Sequence, residues 1–166
     1  ILVRNVGESD GLFDTERGVM ELLSSDNELA QATNSGTLTN FYNNGFKVDG
    51  NGIVGSSTDP YTSWTFRKSP KFFDIVTYTG NSTARSIAHN LGSVPGMIII
   101  KQLNTTRNWE VYHRSLAIET GDYPYILQLN RDVDQIGNQT FFKSGITSTE
   151  FKIAHYNAVN QNGGSY

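Results

Sequence analysis

SIAHNLGSVPGMIIIKQL, residues 86–103, decides how the chain is read. His89 stands beside Asn90 and Gly92, a Val-Pro-Gly corner follows, and the apolar run Met97–Ile100 comes next. The segment is either a catalytic loop in front of a strand or a turn that delivers a strand to a core. A hydrolytic site needs the imidazole paired with a nucleophile and an orienting carboxylate. Ser86 lies shortly before His89, yet no nucleophile-elbow motif surrounds it and no HExxH pattern occurs in the chain. The turn is the preferred reading. His89 then hydrogen-bonds its backbone, Asn90 and Gly92 make the bend, Pro95 fixes φ, Gly96 relaxes the corner, and Met97–Ile100 enters the core.

Working outward, the same alternation of short apolar runs and turn residues covers the chain. Ile1–Val6 reads as a buried strand, Asn43-Asn44-Gly45 as a hairpin turn that uses positive φ, and Phe46-Lys47-Val48 as the strand after it. Tyr61–Phe66 alternates as a half-buried strand should, with Trp64 and Phe66 on the dry side. Phe73–Tyr78, Met97–Leu103, Trp109–Arg114, Tyr125–Leu129, Phe141-Phe142 and Phe151–Ile153 supply further strands. Of the three imidazoles, His113 is expected as a half-buried packing residue. No segment needs to be a long helix.

Composition agrees. In 166 residues, 37% are apolar, 17% are charged and 16 are Gly, the mixture of short strands joined by tight turns. A net charge of −3 without a basic stripe argues against a nucleic-acid surface. Met97–Ile100 is the longest wholly apolar run, far below the roughly 20 residues of a membrane-spanning helix. The absence of cysteine excludes disulfides and thiolate chemistry. An opening Ile-Leu-Val without methionine or a signal-peptide pattern leads us to expect a fragment of a longer chain.

The chain also repeats itself. Displaced by 97 positions, residues 1–6 fall on 98–103 and Arg17 on Arg114. Displaced by 105, Leu22 falls on Leu127, Phe46–Val48 on Phe151–Ile153, Val54 on Val159 and Tyr61 on Tyr166. One insertion, Ala117–Pro124, with a hairpin tip at Thr120-Gly121-Asp122, absorbs the change. Because Met20–Leu23 then lies on the strand Tyr125–Gln128, it is read as strand although its spacing also suits a helix. The expected organisation is the C-terminal part of a first unit over residues 1–68, a linker at 69–71, and a second unit over 72–166 lacking its last strand. The expected fold is all-β, a jelly-roll-like antiparallel β-sandwich. It is made of one and a half tandem repeat units, or of a single permuted unit.

KFFDIVTYTGNSTARSIAHNLGSVPGMIIIKQLNTTRNWEVYHRSL, residues 71–116, resembles a repeated domain of virion structural and tail-fibre-like proteins of marine bacteriophages. The matching features are FDIVTYTGN, the H-N-LG-VPGMIIIK segment, NW-VYH and the following RSL; FDTERG and TSWTFRKSPKFFD match more loosely. The resemblance implies a β-rich module of phage particles, located on the virion and assembled in the host cytoplasm, and it supplies no catalytic residues. Ala117–Pro124 and Asp132–Gln139 do not share it.

Other chemical signals are weak beside their plainer meanings. Asp132, Asp134 and Gly137, and separately Asp49, Asn51 and Asp59, lack the spacing of a calcium loop, so no metal and no cofactor is expected. In a phage protein made in a bacterial cytoplasm, as the resemblance implies, the sequons at Asn81, Asn104 and Asn138 would simply be turn residues. Eight Tyr, nine Phe and two Trp could stack on glycans, but most belong to cores. Tyr123, Tyr125 and Asp122, at the inserted hairpin, are the candidate contacts to a partner or glycan.

The expected function is a non-enzymatic virion structural protein, a tail-fibre or appendage module that contributes to host attachment. Its partners would be other virion proteins and a host-surface glycan or protein, with no nucleic acid and no membrane insertion. A homo-oligomer, trimeric as fibres commonly are, would multiply weak contacts. The alternatives are a capsid-decoration or head-fibre protein, a glycan-binding module, and a depolymerase. The last would use carboxylates such as Glu110 and Asp122 set roughly 5–9.5 Å apart.

Overall fold

In a computed structural model, residues 1–5, 9–50, 53–119, 123–137, 141–143 and 145–166 are described. They form an all-β sandwich protein with one helical turn, divided into two units, Ile1–Phe66 and Arg67–Tyr166. Residues 69–71, read above as linker, are built into the second unit: the Ser69 N–H bonds the Phe73 carbonyl and the Lys71 N–H bonds the Leu91 carbonyl.

The first unit holds a meander, β1 (Leu2–Asn5), β2 (Gly11–Asp14), β3 (Gly18–Leu23) and β4 (Ala32–Thr33), and then the hairpin β5 (Leu38–Tyr42) and β6 (Gly45–Val48). β7 (Tyr61–Trp64) returns to the free edge of β1, giving the sheet order β4-β3-β2-β1-β7. Val3, Phe13, Leu22, Leu38 and Val54 form its core. Met20–Leu23 is strand, as the repeat argued, and Gly18 and Met20 at positive φ absorb a bulge opposite β2. The β2–β3 turn is fixed by a buried ion pair, with Arg17 Nε 2.6 Å from Asp14 Oδ2. Arg114, the partner of Arg17 in the repeat, is exposed and lies against Gly96 instead, so this identity has no structural counterpart.

The second unit contains β8 (Arg85–Ala88), β9 (Met97–Ile100), β10 (Glu110–His113), β11 (Ile118–Glu119), β12 (Tyr123–Pro124), β13 (Leu127–Gln128), β14 (Phe142–Lys143), β15 (Glu150–Ile153) and the turn α1 (Asn157–Asn160). Two antiparallel sheets, β13-β10-β9 and β14-β15-β8, enclose a core of Ile87, Ile100, Ile126, Phe141, Phe142, Phe151, Ile153 and Val159. β11 and β12 form the inserted hairpin.

Each unit has a three-strand antiparallel run, β3-β2-β1 and β13-β10-β9, but the registers differ, since Ile99 pairs with Val111 and not with Trp109, the repeat position of Leu12. Leu2 opposes Leu12 and Leu12 opposes Leu23 in the first; Ile99 opposes Val111 and Val111 opposes Leu127 in the second. The displacement of 105 carries β6 onto β15 strand end for strand end. Fully buried Leu38 faces Val48, and fully buried Phe142 faces Ile153.

Three strand expectations and one turn expectation are corrected. Phe73–Tyr78 is not a strand, because β-type pairing is confined to its two ends, at Phe73 with Ser69 and at Tyr78 with Tyr166, while between them Asp74 takes the Ile75 and Asn90 N–H groups on its carboxylate. Met97–Ile100 does not enter the core as a whole; Ile100 does, while Met97 and Ile99 are 57% and 42% exposed. Trp64 and Phe66 are on no dry side, being 46% and 53% exposed. The Asn43-Asn44-Gly45 turn closes without positive φ, since Gly45 already belongs to β6.

Candidate functional site

The turn after β8 places the residues singled out at the start. His89 is buried; its N–H bonds the Thr149 carbonyl at 2.8 Å, and its Nδ1 accepts the Leu91 N–H at 3.2 Å. That acceptor role leaves the proton on Nε2 in the neutral ring, and Nε2 has no hydrogen-bond partner among the described residues. The ring stacks on Phe151 with centroids 6.4 Å apart. Ser86, on β8, gives its hydroxyl to Glu150 Oε1 at 2.9 Å, a bond that engages it away from any imidazole. The Asn90 N–H bonds Asp74 Oδ2 at 2.8 Å, and Lys68 Nζ lies 3.1 Å from Asp74 Oδ1. Burial alone would raise the Asp74 pKa, but the Asn90 N–H, the Lys68 ammonium and the Ile75 N–H together hold it below the usual carboxylate value.

Gly92 sits at φ 67°, the left-handed region that suits glycine. Pro95 is buried, and Gly96 accepts the Arg114 N–H at 2.9 Å through its carbonyl. Gly96 is not at positive φ, so Gly92 carries the turn's conformational demand.

At the inserted hairpin, Tyr123 is half-buried with Lys143 Nζ 5.9 Å above its ring. Tyr125 is half-buried and its N–H bonds the Ala117 carbonyl at 2.9 Å. Asp122 and the hairpin tip lie outside the described residues, as do Asn51 and Asn138. Among the described residues no cluster of three His, Asp or Glu side chains could hold a metal.

The β9-β10-β13 sheet inverts the expected polarity. Cross-strand partners share a face, so Ile100, Glu110 and Gln128 lie together on one side, and Ile99, Val111 and Leu127 on the other. Ile100 belongs to the core, which places Glu110, only 2% exposed, on the inner face. Both its oxygens accept from Gln128 Nε2, at 3.2 and 3.3 Å. Burial pushes the Glu110 carboxyl up to about 7, against the opposing pull of the Gln128 hydrogen bond and of Arg107 and Arg131. The outer face carries Met97, Ile99 and Leu127 exposed around buried Val111. An alternating sequence announces one dry face, but it cannot tell that the other face is apolar too, and this surface was missed.

The antiparallel sheets, with a carboxylic acid on the inner face of one and an apolar outer face, define the class: an all-β sandwich protein. Within that class the chain belongs to the family Domain of unknown function (DUF7483), whose model matches residues 1–166. No curated protein and no solved structure matches the chain.

Proposed function

We propose that the protein is a non-enzymatic structural module of a bacteriophage particle, part of a tail fibre or appendage, and that it contributes to host attachment. The observation that carries this reading is the outer face of the β9-β10-β13 sheet, where Met97, Ile99 and Leu127 stand in water around Val111. Exposed apolar patches of this kind are contact surfaces. The resemblance of residues 71–116 to virion proteins supplies the biological setting. Assembly in the host cytoplasm, contacts to other virion proteins and a homo-oligomeric, trimeric arrangement belong to the same proposal, and multivalency would strengthen weak contacts to a host-surface glycan or protein. The burial of Glu110 supports the non-enzymatic reading, because a carboxylate closed into a core does not reach a polysaccharide.

A second reading, decoration of the capsid, is favoured by one observation: Tyr123 and Tyr125 are half-buried rather than presented as free aromatic platforms, while the apolar face is open. Labelling purified virions with an antibody against residues 71–166, followed by electron microscopy, tests both. Label on fibres or tail tips supports the first reading and label over the head the second. An unlabelled particle removes both.

A further inference from the structure

We propose that the outer edge of β6 is an acceptor for a β-strand of the β8 kind, donated antiparallel by a further copy of the module, one whose β8 is not paired with a β15 of its own. The proposal rests on strand pairing alone and is independent of the virion reading.

In the second unit β15 is paired on both edges, by β14 on one side and β8 on the other. Its partner register on the β8 side is Glu150 with Ala88, Phe151 with Ile87, Lys152 with Ser86 and Ile153 with Arg85. In the first unit β6 occupies the same place and has the same Phe-Lys-aliphatic sequence, but among the described residues it pairs with β5 alone. Burial follows the difference. Phe151 and Ile153 are 7% and 0% exposed, whereas Phe46 and Val48 pack on their core and remain only half-buried. A strand edge with unpaired backbone groups above a half-covered core is a template for strand addition.

An exposed lysine usually discourages pairing at an edge. Here Lys152, at the position of Lys47, already tolerates β8 by facing the small Ser86. The occupant is therefore specified by chemistry: an extended segment with one aliphatic residue opposite Phe46, a small polar residue opposite Lys47 and a small residue opposite Gly45. That is the pattern of Arg85–Ala88. One anchor is absent. Asn160, which binds the turn before β8 through Thr83 and Asn81, is matched in the first unit by Gly55, so a donated strand is held by the ladder and its aliphatic side chain and exchanges reversibly.

The test uses the full 166-residue chain, which has no cysteine. Lys47→Cys introduces a single exposed thiol, and synthetic peptides of residues 83–90 carry at the Ser86 position a cysteine activated as a mixed disulfide, whose activating thiol leaves when the protein thiolate attacks. The proposal expects disulfide coupling to be about tenfold faster than for the peptide with Ile87→Asp, because a buried aliphatic contact is lost. Lys152→Cys, where β8 is already in place, should couple no faster than with a scrambled peptide. Unmodified peptide should slow amide exchange at Phe46 and Val48 in the unsubstituted chain. Coupling at Lys47 that ignores the Ile87 change, or no protection at Phe46 and Val48, overturns the proposal. So does a predominance of Lys47→Cys homodimers, which would make the occupant the same edge of a second chain.

Discussion

The hairpins β5–β6 and β14–β15 are built from nearly the same strand and differ in what lies beside them. Phe46-Lys47-Val48 and Phe151-Lys152-Ile153 each turn two apolar side chains toward a core. Among the described residues, only the second is covered by a neighbouring strand. Local sequence therefore sets the direction of these side chains, and tertiary neighbours set how much water they lose. A half-exposed apolar pair inside a well-formed strand is a statement about a missing neighbour rather than about weak design.

The comparison can be broken by substitution. Phe151→Ala should cost about 3–5 kcal/mol, as for a large buried aromatic, and Phe46→Ala about half as much, because part of its ring is already wet. Urea titrations followed at Trp64 and Trp109, one in each unit, would separate the two losses. Equal losses would mean that β6 is covered as well as β15. Asn160→Ala removes the side chain that donates to the Thr83 and Ala154 carbonyls and accepts the Asn81 N–H, one buried and two partly buried bonds. A loss of about 3 kcal/mol is expected, confined to the Trp109 transition.

The charge inside the second unit sharpens the contrast further. Glu110 keeps its proton to about 7 in the fold, while the unfolded chain releases it near 4.5. Between those values the folded state binds more protons, so stability is fully present below the lower value and falls as pH rises through the upper one. The loss, on the order of 2–3 kcal/mol, should vanish in Glu110→Gln when unfolding is compared at pH 4.5 and 8. Asp74 has the opposite sign. Its lowered pKa contributes stability that is present above the ordinary value of 3.8 and is lost as pH falls. Asp74→Asn should cost about 1 kcal/mol at neutral pH and flatten the acid limb of the same titration.

Much of the architecture was legible before any coordinates. The strand at Phe151–Ile153 and the hairpin at Asn43-Asn44 followed from alternation and turn residues, and the repeat register rescued Met20–Leu23 from a helical reading. β8 was not legible: Arg-Ser-Ile-Ala has a single large apolar residue, and its place in the sheet comes from β15. Phe73–Tyr78 alternates well but spends its polar groups on the turn at Asn90 and on Tyr166. The orientation of Met97–Ile100 and the burial of Glu110 could not be read from an apolar run, since four aliphatic residues in a row do not say which of them face water. Of the proposed contacts, Tyr123 lies on β12 and Tyr125 just after it, and the half-burial of Tyr123 depends on a neighbour, Lys143, that sequence spacing does not disclose.

Tyr78 and Tyr166 exchange both backbone hydrogen bonds, at 3.1 and 3.0 Å, and stack their rings 4.8 Å apart. Gly80 and Gly164 continue the contact, with Gly80 so close that a Cβ there would sit 2.1 Å from the Gln161 carbonyl oxygen. The two outer segments of the second unit thus run side by side in opposite directions. Tension applied through them loads this seam one bond at a time, as a zip is opened, rather than shearing all of it together. Because Tyr166 belongs to the same core as Phe151 and Tyr78 packs against it, opening this seam at the tyrosines also uncovers the core.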